Sequence, residues 1–312
     1  MDLCKLSKPE LLSKCKELGY SKYSMKTKHE LIKLISDNSN NKQLISHEDL
    51  TNSSPLRYPG GKTRACKIIE KIITEHFNIH EFDTLLSPFF GGGSFEFYFQ
   101  NNYNMKLIVN DKFTPLYHFW KQIQTDKQSL VNQLRNITTV SKEQFNNYRS
   151  TIMSLNNDML LQAVQYFIIN RCSFSGATLS GGFSKEASSK RYTPSSIDKI
   201  QNLNLTNIVF YNCDFEDFIP QFTNEKTLTF LDPPYYLEKS QLYGNKGDMH
   251  EHFDHQKLFD ILDKTNNWIM TYNNCDFIKQ LYKDYLIIDA SWSYGMNKSK
   301  KSSEIVILSI KL

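Results

Sequence analysis

The chain has 312 residues and carries 37 Lys and Arg against 33 Asp and Glu, a net charge of +4 that is too small to require a polyanionic partner. Hydrophobic residues make up 40% of the chain, which is enough for a packed core, and no run of about 18 apolar residues predicts a membrane span. The N-terminus has no secretory pattern, so we expect an intracellular protein. Six scattered cysteines, none in a CxxC pair, predict neither a zinc site nor a disulfide framework.

The first 36 residues predict a small helical module. Ser7 with Glu10 and Thr27 with Glu30 have the spacing of capping boxes, which mark the starts of two short helices. The segment is rich in lysine and resembles the SAP-type helix–extended–helix DNA-binding module through Leu11, Gly19, Lys28, Glu30 and Leu31. The gap from Gly19 to Glu30 is longer than is usual, and a solvated hairpin or a protein-docking element is the alternative. Residues 37–54 are polar and predict a linker.

Residues 55–312 alternate strand and helix patterns, which predicts an α/β fold with a doubly wound, mainly parallel sheet. The predicted strands are 82–87, 106–110, 208–211, 227–231, 268–272, 286–290 and 304–310. Residues 113–169 have a mainly helical pattern, and residues 171–194, rich in Gly, Ser, Lys and Arg, predict a loop or hairpin. Residues 113–205 are therefore expected to form a helical insertion on the sheet.

A motif with clear chemistry, Asp232-Pro233-Pro234-Tyr235, follows the apolar strand 227–231, and ligands of doubly wound sheets bind at such strand ends. The Asp232 carboxylate and the Pro233 carbonyl can each accept a hydrogen bond from an exocyclic amine, which favours a pyramidal nitrogen with an available lone pair. The two prolines stiffen the turn that holds these acceptors, and Tyr235 can stack on an extruded base. An ordinary proline turn is the alternative for this motif alone.

A glycine-rich turn at residues 87–94 joins a predicted strand to a predicted helix. Gly91 and Gly93 let the backbone approach a bound cofactor closely, and Phe89 lies beside them. A structural turn and a phosphate-binding loop are alternatives, but the chain has no Gly-x4-Gly-Lys-Ser/Thr pattern.

Acidic residues end the next two strands of the predicted sheet. Asp111 suits a pair of ribose hydroxyls, while Asp214 and Phe215 suit the amine and the ring of an adenine. Upstream of the glycine turn, Lys62 suits the carboxylate of a cofactor and Tyr58 its methionine part. Surface caps and a solvated lysine in a turn are the alternatives.

These motifs, in this order, resemble those of the Dam-like, alpha-group adenine-N6 DNA methyltransferases. The matching segments are residues 58–62, 88–94, 170–176 and 232–235, and the resemblance covers residues 55–312. It implies a Rossmann-like domain with a helical target-recognition insertion, S-adenosylmethionine as the cofactor, and an adenine flipped out of a short duplex DNA site as the substrate. The sequence shows no cluster of metal ligands, so we expect no metal. The family commonly has Glu or Asp where this chain has Ser87, which puts one contact on the cofactor side in question.

Target recognition is predicted in segment 171–194, where basic and aromatic residues alternate. Phosphate contacts supply grip and base contacts supply sequence specificity. The predicted DNA-binding residues are Arg171, Phe174, Lys185, Arg191 and, in a second basic stretch, Lys300. A loop and a turn with solvated charges are the alternatives for the two stretches. We expect a monomer or a weak dimer on double-stranded DNA, and a cognate restriction endonuclease is a further candidate partner.

Two rival functions remain open from the sequence. One is methyl transfer to an RNA adenine or a glutamine side chain, although those enzymes more often have Asn in the place of Asp232. The other is a catalytically inactive DNA-binding subunit.

Overall fold

The computed structural model describes residues 7–17, 27, 28, 30, 31, 52–58, 60–155, 158–236, 253–290 and 304–312. It divides the chain into two compact units, Met1–Asp49 and Leu50–Leu312. Asn52 belongs to the second unit although it lies in the predicted linker, and its side chain exchanges hydrogen bonds with the backbone of Asn204.

In the first unit, helix α1 (Lys8–Glu17) begins directly after Ser7. The Glu10 carboxylate accepts hydrogen bonds from the Ser7 backbone N–H and hydroxyl at 2.7 and 2.6 Å. Thr27 and Glu30 form the reciprocal pair of a capping box, with the Thr27 N–H 2.7 Å from the Glu30 carboxylate. The SAP-like assignment stays a prediction, because Gly19 and most of the second predicted helix lie outside the described residues.

In the second unit, the described strands form one seven-stranded sheet in the order β3-β2-β1-β4-β5-β7-β6. Their bounds are β1 (Thr84–Ser87), β2 (Lys106–Asn110), β3 (Ile208–Tyr211), β4 (Thr227–Leu231), β5 (Trp268–Asn273), β6 (Tyr285–Ala290) and β7 (Glu304–Lys311). Strands β1 to β5 pair in parallel, whereas β7 runs antiparallel between β5 and β6. The predicted Rossmann-like, doubly wound sheet is confirmed.

Helices cover the sheet and fill the insertion between β2 and β3. The described helices are α2 (Cys66–His76), α3 (Ser94–Tyr103), α4 (Thr114–Asn136), α5 (Lys142–Thr151), α6 (Met159–Cys172), α7 (Lys185–Lys190), α8 (Pro194–Gln201), α9 (Phe215–Phe222), α10 (His255–Leu262) and α11 (Asp276–Leu281). The insertion shares the main core, since Phe119 of α4 and Phe167 of α6 stack at 5.7 Å. Among the described helices, none is long and apolar enough to cross a membrane.

The prediction of a loop or hairpin at residues 171–194 was wrong in part. Helix α6 extends to Cys172, and α7 lies inside the segment. The Ser184 hydroxyl caps α7 by accepting the Ala187 N–H at 3.1 Å, so a serine of the predicted loop starts a helix instead. The hairpin component is limited to one antiparallel bridge between Ser173 and Phe183.

Candidate active site

The glycine loop between β1 and α3 forms one wall of the site. Gly91 and Gly93 have φ angles of +51° and +67°, which disfavour any side chain. A Cβ atom on Gly91 would lie 2.8 Å from the Tyr58 ring, so the absent side chain is what lets Tyr58 pack on the loop. The Trp120 indole N–H donates to the Gly91 carbonyl at 3.1 Å and fixes the loop to the insertion.

Asp111, at the end of β2, joins this wall. Its two carboxylate oxygens accept the backbone N–H groups of Gly91 and Phe113, both at 2.9 Å. Burial raises the pKa of Asp111 to about 6, although both hydrogen bonds act in the opposite direction. Because each carboxylate oxygen has a second lone pair, Asp111 can hold the loop and still accept a hydroxyl from a ligand.

Asp214 and Phe215 lie at the end of β3, on the same edge of the sheet. The Asp214 carboxylate caps α9 and forms a 2.5 Å ion pair with Lys112. Partial burial raises the pKa of Asp214, but the hydrogen bond and charge of Lys112 outweigh it and lower the pKa overall. Phe89 and Phe215, predicted separately as cofactor-binding residues, are brought together, with ring centroids 5.8 Å apart.

Phe253 was missed from the sequence, and it completes this aromatic wall. Its ring centroid lies 5.6 Å from that of Phe89 and 5.2 Å from that of Phe215. It lies just before α10, outside every motif, and only its aromatic character could have indicated a place beside the other two.

The Asp232 carboxylate, directly after β4, forms a tight ion pair with Lys62. The Lys62 Nζ atom lies 2.7 Å from Asp232 Oδ2 and donates to the Gly60 carbonyl at 3.0 Å. Lys62 is only 4% exposed, so it is not a solvated lysine in a turn. The Thr271 hydroxyl donates to Asp232 Oδ1 at 2.7 Å from the neighbouring strand β5. Both oxygens are thereby oriented before a substrate arrives.

Glu304, the first residue of β7, is a second buried acid in this site and was missed from the sequence. It accepts the Tyr235 hydroxyl at 2.6 Å and lies 4.0 Å from Lys62 Nζ. Lys62 Nζ also lies 5.2 Å from the centroid of the Tyr235 ring. The lysine is thus surrounded by two acids and an aromatic face. A buried acid at the start of an otherwise apolar strand was the one available signal.

A small cavity of about 30 Å³ lies between the glycine loop and the end of β4. It is lined by residues from three of the predicted motifs and by Glu96 of α3, which was not predicted: Tyr58, Lys62, Phe89, Gly93, Glu96 and Asp232. The Glu96 carboxylate accepts the Ser87 hydroxyl at 2.6 Å. The motifs that follow β1 and β4 therefore line the same cavity.

The predicted DNA-binding residues of segment 171–194 are only partly exposed. Phe174 is 68% exposed, and Lys185 and Arg191 are also exposed. The Arg171 guanidinium is half-buried and donates to the carbonyls of Arg191 and Pro55 at 2.6 and 3.1 Å. Burial, together with the nearby charges of Arg57 and Arg191, lowers the pKa of Arg171 to about 10. Arg171 therefore positions the segment through its backbone.

Two further site expectations concern Lys300 and metal binding. Lys300 and the rest of its basic stretch lie outside the described residues. In the part of the chain that the structure describes, no group of three or more His, Cys, Asp or Glu side chains could hold a metal ion.

A model of the D12 class N6 adenine-specific DNA methyltransferases matches residues 58–296, which contain the glycine loop, Lys62 and Asp232. The chain belongs to this family. The resemblance drawn from the motifs is confirmed, and the protein is an adenine-N6 DNA methyltransferase rather than an RNA or glutamine side-chain enzyme. Methyltransferases of this family use S-adenosylmethionine in general. The matched region excludes the first unit and Glu304.

The methyltransferase also has a relative in Methanocaldococcus jannaschii, the "Type II methyltransferase M.MjaIII". The two sequences are 25% identical over 258 residues, which cover 74% of this chain and 88% of the relative. The similarity therefore extends over most of both proteins.

Proposed function

We propose that this methyltransferase transfers a methyl group from S-adenosylmethionine to an adenine that is flipped out of a short duplex DNA site. The observation that carries the proposal is the cavity shared by the glycine loop, Lys62 and Asp232 at the carboxyl ends of β1 and β4. In a doubly wound sheet this edge is where ligands bind. Both partners of a transfer reaction can therefore meet at Asp232.

The cofactor side of the site fits the three parts of S-adenosylmethionine. The Phe89 and Phe215 rings offer an apolar wall for its adenine, and Asp111 offers an acceptor for its ribose. Asp214 suits the adenine amine, while Lys62 and Tyr58, which line the cavity beside the glycine loop, suit the methionine end. When bound, the cofactor supplies an electrophilic methyl group.

The substrate side of the site consists of Asp232, the Pro233 carbonyl and Tyr235. An adenine amine is a weak nucleophile because its lone pair is delocalised into the ring. The Asp232 carboxylate, already oriented by Thr271 and Lys62, accepts one amine hydrogen, and the Pro233 carbonyl accepts the other, as positive charge develops on the amine nitrogen. Tyr235 is held by its hydroxyl, and its ring can stack on the base.

The DNA-binding surface includes Phe174, Lys185 and Arg191. The exposed Phe174 ring can fill the space that the flipped adenine leaves, and the two cations can contact backbone phosphates. Arg171 positions this surface through its hydrogen bonds to the carbonyls of Arg191 and Pro55, and Lys300 adds a phosphate contact. We further propose that the enzyme works as a monomer or weak dimer wherever the cell's DNA lies, and that a restriction endonuclease of the same specificity accompanies it.

Base flipping can be tested with 2-aminopurine, a fluorescent adenine analogue that is quenched by stacking. A duplex carrying the analogue at the methylated position should become several-fold brighter when the methyltransferase binds, because extrusion removes the stacking neighbours. The matched control carries the analogue two positions away and should change little. Equal signals at the two positions would contradict flipping while leaving the methylation reaction itself in place.

The first unit is expected to supply sequence-independent grip on DNA. Its lysines can displace counterions from phosphates, so deleting residues 1–49 should flatten the slope of log affinity against log salt concentration by about 0.9 per lost contact. The DNA sequence that the enzyme methylates should be the same after the deletion. Titrations of one duplex from low to moderate salt, with the full chain and the truncated one, measure this slope. An unchanged slope would favour the protein-docking alternative.

A further inference from the structure

Glu96 lies in the first turn of α3 and is almost completely buried, at 3% exposure. One carboxylate oxygen accepts the Ser87 hydroxyl at 2.6 Å, and the side chain lines the cavity that also contains Lys62 and Asp232. No motif and no role in the reaction described above accounts for this residue.

A buried acid of this kind is expensive unless a cation neutralises it. The cation nearest to hand, Lys62, is already paired with Asp232 and Glu304, and within the described residues no ion pair joins Glu96 to a Lys, Arg or His. Burial accordingly raises the pKa of Glu96 to about 7, with the negative charge of Asp232 adding to the effect and the Ser87 hydrogen bond opposing it. The cavity thus contains one acidic group that forms no ion pair with a cation among the described residues.

The amino-acid end of the proposed cofactor is a zwitterion, with one ammonium and one carboxylate group. We propose that Glu96 accepts the cofactor's ammonium group, as a further binding residue of the methyltransferase that reaches the cavity from helix α3. This inference rests on the proposed function. Lys62 can take the carboxylate, so the two ends of the zwitterion meet charges of opposite sign on one cavity wall.

This assignment also explains Ser87. A serine at the end of β1 is small enough to leave room for the Glu96 carboxylate, and its hydroxyl donates to that carboxylate. A second acid at position 87 would place two buried carboxylates in contact. The carboxylate is therefore delivered by the helix instead of the strand, nine residues later in the chain.

Isothermal titration calorimetry with two ligands tests the inference. S-adenosylhomocysteine carries the amino-acid end, and 5′-methylthioadenosine has the same adenosine half without it. The Glu96→Gln variant should bind S-adenosylhomocysteine roughly 10- to 100-fold more weakly and 5′-methylthioadenosine within about twofold of wild type. Binding of the second ligand also shows that the variant is folded.

Proton release gives a readout that a purely structural role would not move. Because an ammonium group favours the ionised form of Glu96, wild-type binding of S-adenosylhomocysteine should release a fraction of a proton near pH 7, measured in buffers of different ionisation enthalpy. Its affinity should rise with pH through the range around 7. The other groups facing Glu96 are Asp232 and Lys62 across the cavity and Cys66 of α2, whose pKa burial raises to about 12.

Two comparisons distinguish proton release by Glu96 from proton release by other groups of the site. Asp111, with a pKa of about 6, contacts the adenosine half in the proposed site, so its protons are released with both ligands and cancel in the difference. Ser87→Ala removes the hydrogen bond that lowers the pKa of Glu96, so the variant should release a larger fraction of a proton near pH 7 than wild type. Glu96→Gln should abolish the difference between the ligands.

Equal proton release with the two ligands, or wild-type affinity of Glu96→Gln for both, would overturn the inference and leave the proposed function standing. If the wild-type protein bound neither ligand, that result would contradict the proposed cofactor and, with it, the proposed role of Glu96.

Discussion

Replacing Asp232 with alanine is expected to lower the rate of methyl transfer by about 100- to 1,000-fold, with a much smaller loss of DNA affinity. The Asp232 carboxylate is oriented by Lys62 and Thr271 before a base enters, so it acts on the amine mainly as positive charge develops there. An interaction that strengthens in the transition state affects turnover more than binding.

Single-turnover methylation of one duplex, with DNA binding followed in parallel, measures this effect. Asp232→Asn should retain more activity than Asp232→Ala, because the amide oxygen still accepts a hydrogen bond although the charge is lost. The matched control is Asp217→Ala, which removes an exposed aspartate of α9 and should leave the rate unchanged. A wild-type rate for Asp232→Ala would remove Asp232 from the reaction.

The second large effect is on stability, and it comes from replacing Lys62 with methionine. Lys62 is the buried cation between Asp232 and Glu304, so its loss leaves two acids without their counter-charge. Removal of one partner from a buried ion pair typically costs about 3–5 kcal/mol of unfolding free energy. Methionine has a similar shape, so the loss reflects charge rather than packing.

Urea unfolding of the Lys62→Met variant against wild type gives the difference in unfolding free energy. Lys190→Met is the matched control, since Lys190 pairs with Glu186 at 3.0 Å on the exposed face of α7 and its loss should cost almost nothing. If both variants lost an equally small amount of unfolding free energy, the charge of Lys62 would not stabilise the folded protein.

The sheet could be predicted from the sequence because its strands are short apolar runs between clear turn signals. The runs at 106–110 and 227–231 match β2 and β4 to the residue. Segment 171–194 was harder, since the same Ser and Lys residues suit a loop or a capped helix, and only the Ser184 hydrogen bond to Ala187 decides between them.

The candidate site also contains residues that could be predicted from the sequence and residues that could not. Motif residues such as Lys62 and Asp232 could be found because their chemistry lies in local spacing, although their mutual ion pair spans 170 positions and leaves no local trace. Glu96 and Glu304 stand out only because they are buried, and their burial depends on how α3 and β7 pack against distant strands. No short pattern in the sequence records that packing.

The most direct measurement of the central claim is the chemical position of the transferred methyl group. Duplex DNA is incubated with the protein and S-adenosylmethionine labelled on its methyl group, then digested to nucleosides and separated. We expect the label in N6-methyldeoxyadenosine, appearing about 100- to 1,000-fold more slowly with Asp232→Ala. Label in a methylated cytosine, or no label in DNA containing every short site, would contradict the account.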